Sequence, residues 1–137
     1  MSIEQTARAF FEACETGGGW EACKAYCHDD AGFACQADAL AETTSLAAYA
    51  EWMKGLLGPI PDGRYELTAF AVDGARATVV ASAVFRGTQT GAGGPGTPTG
   101  QSVASDYAYV MAFEDGRIRH MTKIWNDAQA LRQLGWA

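Results

Sequence analysis

Six polar side chains near the end of the chain offer most of its chemistry: Ser105, Tyr107, Tyr109, His120, Thr122 and Asn126, with Asp127 directly after them. Histidine moves protons near neutrality. Serine and tyrosine hydroxyls and an asparagine amide hold a carbonyl or enolate oxygen by hydrogen bonds. Aspartate serves as a general base or as a helix cap. The spacing joins these residues, because positions 105, 107, 109 and 120, 122, 126 advance in multiples of two, the side-chain period of a strand.

Asp115-Gly116 lies between two β-rich runs and reads as a two-residue hairpin turn. Counting outward pairs Glu114 with Arg117, then Met111 with His120, Tyr109 with Thr122, Tyr107 with Ile124 and Ser105 with Asn126. This face, apolar and aromatic with six polar members, is expected to be covered by helices. Asp106, Val110, Arg119, Met121, Lys123 and Trp125 then face the other way. A β-bulge between 105 and 126 would exchange the two faces beyond it. Counting from Asp73-Gly74 likewise puts Phe70, Val79, Ala81, Ala83, Phe85 and Gln89 on one face, where the small alanines leave room. A packed core would have to satisfy every one of the six polar groups. A mostly apolar pocket with a few convergent polar side chains explains them more simply. The expected ligand-binding set is Tyr107, Tyr109, Gln89, Thr122, Ser105, Met111 and Phe85, with His120, Asn126 and Asp127 as the catalytic candidates.

The elements that must position these residues follow from pattern. Ser2 and Gln5 form a capping-box signal, and Ile3, Ala7, Phe10, Phe11 and Cys14 share a helical face. A short second helix is expected from about Trp20 to Cys27, then a brief strand at "GFACQ". Ser45 caps a third helix with Leu46, Tyr49, Met53 and Leu56 inward, ending by Gly58-Pro59. Four strands follow, near 64–72, 75–89, 102–114 and 117–126.

With 137 residues, 48% hydrophobic and 19% charged, the chain suits one domain, 1–137, with one core. No apolar run reaches the roughly 18 residues of a membrane span, and "MSIEQTARAFF" has no secretion-signal character, so a cytoplasmic location is expected. A net charge of -6 with scattered basic residues disfavours nucleic acid. Cys14, Cys23, Cys27 and Cys35 are read as buried free thiols rather than metal ligands, and His28 receives no role. The glycine-rich segment 90–100 is a loop within the domain. It lacks the Lys-Ser/Thr and the following helix of a phosphate loop.

Three helices, a curved mainly antiparallel sheet and a short terminal helix resemble the cone-shaped α+β fold of the nuclear-transport-factor-2-like superfamily. Within it, "RGTQTGAGGPGTPTGQSV", "FEDGRI" and "IWNDAQALRQLG" are similar to motifs of SnoaL-like polyketide cyclases, and the similarity spans nearly the whole chain. The resemblance implies aldol closure of a polyketide ester, without metal, cofactor or covalent intermediate, by an aspartate near the end of the last long strand. That position falls on Asn126, whose amide cannot abstract a proton. Gln89 stands where the family often has histidine. Asp127 reaches the pocket rim if the chain bends there, and otherwise caps the C-terminal helix. His120 is either the acid/base or a satisfied core histidine.

Three functions are therefore open. The chain is a cyclase or isomerase acting on a hydrophobic carbonyl compound, a non-catalytic binder of a small apolar ligand, or an interaction protein working through its open sheet face. A homodimer through that face, bearing Trp125, Met121, Val110 and Ala108, is expected as the superfamily implies.

Overall fold

The computed structural model describes residues 1–137. Helix α1 (Ile3–Glu15) starts at the expected capping box: Gln5 N donates to Ser2 Oγ at 3.1 Å and Ser2 N donates to Gln5 Oε1 at 2.9 Å. It ends where Gly17 takes φ +81°, a left-handed conformation that glycine adopts without steric cost. Helix α2 (Gly19–Cys23) is a single turn continued by a 3-10 turn over Lys24–Tyr26. Strand β1 (Cys27–Cys35) is longer than expected. Helix α3 (Leu46–Leu56) begins at Ser45, whose Oγ accepts from Ala48 N at 3.1 Å.

Strands β2 (Arg64–Asp73), β3 (Thr78–Thr88), β4 (Ser102–Glu114) and β5 (Arg117–Trp125) complete one sheet, in the order β1-β5-β4-β3-β2. Only β1 and β5 run parallel. Helix α4 (Asp127–Leu134) packs on β4. The result is an α+β fold in which helices cover one face of the sheet. No helix is long and apolar enough to cross a membrane.

The first β-turn differs from expectation. Asp73 does not enter a two-residue turn but caps a 3-10 turn over Gly74–Arg76, and Ala77 takes φ 47°. Val79, Ala81, Ala83 and Phe85 are nevertheless all buried, as counted. In the β3–β4 register Ala81 faces Tyr109 and Ala83 faces Tyr107, so each small residue makes room for a ring opposite. The segment 90–100 is the expected loop. Gln89 and Gln101 close its base through two backbone hydrogen bonds, Gln89 N to Gln101 O and Gly100 N to Gln89 O, each 2.9 Å.

Candidate active site

The β4–β5 hairpin turns at Asp115 (φ 52°) and Gly116 (φ 77°), with Glu114 opposite Arg117 as counted. One step later the ladder slips. Phe113 pairs with Ile118 but Ala112 pairs with His120, leaving Arg119 as the extra residue of a β-bulge. Arg119 uses its freedom from the ladder to reach Asp30 on β1, Nη2 to Oδ1 at 2.8 Å. Beyond the bulge every β5 side chain changes face. Met121, Lys123 and Trp125 point at the helices opposite Met111, Tyr109 and Tyr107, while His120, Thr122 and Ile124 occupy the outer face.

This corrects the expected site. His120 is half-buried on the outer face beside Gly32, where an added Cβ would lie 2.7 Å from its Nδ1. Thr122 shares that face. Asn126 is the N-cap of α4, its Oδ1 accepting from Gln129 N at 3.3 Å, and it is exposed. Asp127 is therefore the first helical residue rather than the cap. Its buried carboxylate accepts from Ala39 N at 2.9 Å, tying α4 to the loop before α3. Gln89 is fully buried but serves the glycine-rich loop, donating to Gly91 O at 2.9 Å and accepting from Thr99 N at 2.8 Å. Met111 is core. Trp125 and Met121, expected outside, are inside.

Three of the expected residues do meet. Phe85, Ser105 and Tyr107 line a cavity of about 70 Å³ between the sheet, α3 and α4. Thirteen of its sixteen lining residues are hydrophobic, among them Trp52, Leu56, Trp125, Leu134 and Trp136. Trp125 Nε1 donates to Ser105 Oγ at 2.7 Å, which satisfies both polar groups and fixes the indole as a wall.

Two further lining residues, Glu15 and Lys123, change the chemistry. Glu15 ends the buried face of α1 and is 2% exposed. Its Oε2 and the Tyr107 hydroxyl are both buried without a hydrogen-bond partner in the protein. Burial pushes the Glu15 carboxyl up, and the Lys123 charge pulls it back, aided by the nearby Tyr107 and Tyr109 phenols. Burial and the adjoining Glu15 charge hold the Tyr107 phenol in its protonated form well past neutrality.

Lys123 is 6% exposed, and its ammonium sits among four aromatic rings: Trp125 at 4.3 Å, Tyr49 at 5.0 Å, Trp52 at 5.1 Å and Tyr107 at 5.3 Å from the centroids. Its Nζ donates to Tyr49 Oη at 3.0 Å, and Tyr49 Oη is in turn hydrogen-bonded to Tyr109 Oη. Burial lowers Lys123 to about 8, against the opposing pull of Glu15, Cys35 and Cys14. A buried carboxyl and a buried amine thus share one small apolar space with a buried tyrosine hydroxyl. Such an arrangement can exchange protons with a bound molecule and hold a developing oxyanion.

A family model described as SnoaL-like polyketide cyclase matches residues 5–134. The chain belongs to that family. The fold is shared with solved structures of low sequence identity. IdmH from Streptomyces antibioticus, a candidate polyketide cyclase, is 20% identical with a TM-score of 0.79, over 98% of this chain and 99% of its own. A candidate polyketide cyclase from Acidithiobacillus ferrooxidans is 21% identical with a TM-score of 0.78, over 100% of this chain and 96% of its own. TerC, crystallised with polyporic acid, is 14% identical with a TM-score of 0.74, over 98% of this chain and 99% of its own. No curated protein matches the sequence significantly. Within the SnoaL-like pattern, the motif that places the acid at Asn126 lands here on a helix cap, and the ionisable groups of the cavity come instead from α1 and the middle of β5.

Glu15 and Lys123 are the residues that pattern reading missed. For Glu15 a signal existed, since Ala7, Phe11, Cys14 and Glu15 stand at i, i+4, i+7 and i+8, one helical face. For Lys123 the signal was the alternative alternation Met121-Lys123-Trp125, visible only once the bulge is placed.

Proposed function

We propose that this protein binds a small, largely hydrophobic carbonyl compound in the cavity and catalyses proton transfer beside the carbonyl, as an aldol closure or an isomerisation requires. Glu15 is the acid/base. The Tyr107 hydroxyl donates to the carbonyl oxygen, and Lys123 supplies positive charge to the enolate that forms. One observation supports this reading: Glu15 Oε2 and Tyr107 Oη are buried without a hydrogen-bond partner, and both residues line the same cavity. Leaving a buried polar group unsatisfied costs about 1–3 kcal/mol. A purely apolar ligand would maintain that cost, whereas a carbonyl oxygen accepts from Tyr107 and its acidic α-hydrogen engages Glu15. The second reading, a non-catalytic binder, draws on the dominantly apolar lining and on the asparagine at the family's acid position.

Exchange of α-hydrogens in deuterated buffer, followed by NMR across a panel of aryl ketones and β-keto esters, separates the two. The wild-type protein is expected to accelerate exchange for at least one compound, and Glu15→Gln to lose about 10²-fold or more of that rate. Compounds that quench the pocket tryptophans yet show no accelerated exchange would leave only the binder.

A further inference from the structure

The reaction read above needs only proton transfer, but the amine of Lys123 lies where it can do more. We propose that Lys123 is a covalent site: its neutral amine condenses with the carbonyl carbon of a bound aldehyde, ketone or β-diketone to give an imine. This inference rests on the reading that the cavity receives a carbonyl compound. The nitrogen lone pair forms the new C–N bond as the carbonyl π electrons move to oxygen, giving a carbinolamine after proton transfer from nitrogen to oxygen. Loss of the second N–H proton and of the hydroxyl as water completes C=N, and hydrolysis reverses the sequence. No oxidant, reductant or second substrate enters. Glu15, the carboxyl that shares the cavity, carries the proton that turns hydroxyl into water.

Geometry supports the step. Lys123 lines the cavity, its Nζ has one hydrogen-bonding neighbour, the Tyr49 hydroxyl, and none of the six ion pairs of the structure includes it. The remaining positions around nitrogen are walled by aromatic faces rather than by acceptors, so its lone pair is not committed once the proton leaves. The groups that face it are Glu15 and Cys14 of α1, Cys35 of β1, Tyr49 of α3, and Tyr107 and Tyr109 of β4, with Glu15 the leading anionic influence. Burial that lowers the amine to about 8 supplies nucleophile near neutral pH. The chain has two other lysines, Lys24 and Lys54, both exposed.

The test uses the full chain with pentane-2,4-dione and its phenyl analogue 1-phenylbutane-1,3-dione, whose lysine imines rearrange to stable vinylogous amides. Intact mass and peptide mapping read the adduct, one diketone less one water, and tryptophan fluorescence reads binding. The expected result is one adduct at Lys123 at pH 8, formed ahead of any at the exposed Lys24 and Lys54, slowed in Glu15→Gln and lost in Lys123→Met that keeps its circular dichroism. Label on Lys24, Lys54 or the Met1 amine without Lys123 overturns the proposal. Fluorescence quenching without any adduct also overturns it while leaving the proton-transfer reading intact. Neither quenching nor adduct overturns both.

Discussion

At the scale of single residues, the energetics of the site are those of two buried charges of opposite sign that make no direct ion pair. Lys123 has its folded pKa depressed from an ordinary 10.5 to about 8. Its contribution to stability is therefore present above pH 10.5 and is lost as pH falls through about 8, where the native state must take up a proton in an apolar setting. A shift of that size corresponds to about 3 kcal/mol at neutral pH. Lys123→Met, which fills the same volume without charge, is expected to be more stable than wild type by about 1–3 kcal/mol at pH 7 in urea unfolding, and this advantage should shrink between pH 8 and 10. An advantage independent of pH would show that packing, not the charge, sets the difference. Glu15 raises the lysine, so Glu15→Gln is expected to move the onset of Lys123 reactivity toward diketones to lower pH, by one pH unit or less; a Glu15 that only packs would leave the onset in place.

At the scale of elements, what was legible in the sequence was whatever depends on local spacing. The capping box of α1, the Ser45 cap of α3, the Asp115-Gly116 turn and the inward face of β3 all stand as read. The fold follows from these. The outer half of β5 was not legible, because the slip at Arg119, which meets Asp30 from 89 positions earlier in the chain, belongs to tertiary packing that no local pattern encodes. The site reading inherited that error: Ser105, Tyr107 and Tyr109 lie on β4, the strand without the extra residue, and keep their face, whereas His120 and Thr122 on β5 do not, and Asn126 caps α4. The α4 cap offers a direct check. Asn126→Asp restores the residue type that the family motif implies, at a position where either side chain accepts from the Gln129 amide. Activity is expected to be unchanged and unfolding free energy to stay within about 0.5 kcal/mol, whereas Asn126→Ala should cost about 1 kcal/mol. A large gain of turnover in Asn126→Asp would return the acid/base role to this position.

At the scale of the whole molecule, the sheet has one face under helices and one without. The open face carries Ile124 at 61% exposed and Val80 at 38%, with Ala108 and Val110 between them on neighbouring strands. On β5, His120, Thr122 and Ile124 take the places on that face expected for Met121 and Trp125. We expect this surface to pair with a second copy across a two-fold axis. Light scattering at micromolar concentration is expected to give twice the chain mass, and Ile124→Lys to give the single-chain mass with an unchanged circular dichroism spectrum. A wild-type monomer would remove the expectation. The bulge bears on this surface as much as on the cavity. Because neighbouring strand residues point to opposite sides, β5 is written with two complete sets of side chains, Met-Lys-Trp and His-Thr-Ile, and Arg119 selects which set faces inward. Loss of that single codon would turn a lysine site with an aliphatic exterior into a histidine site with an aromatic, cationic one. The hairpin therefore places two different proteins one deletion apart in sequence space.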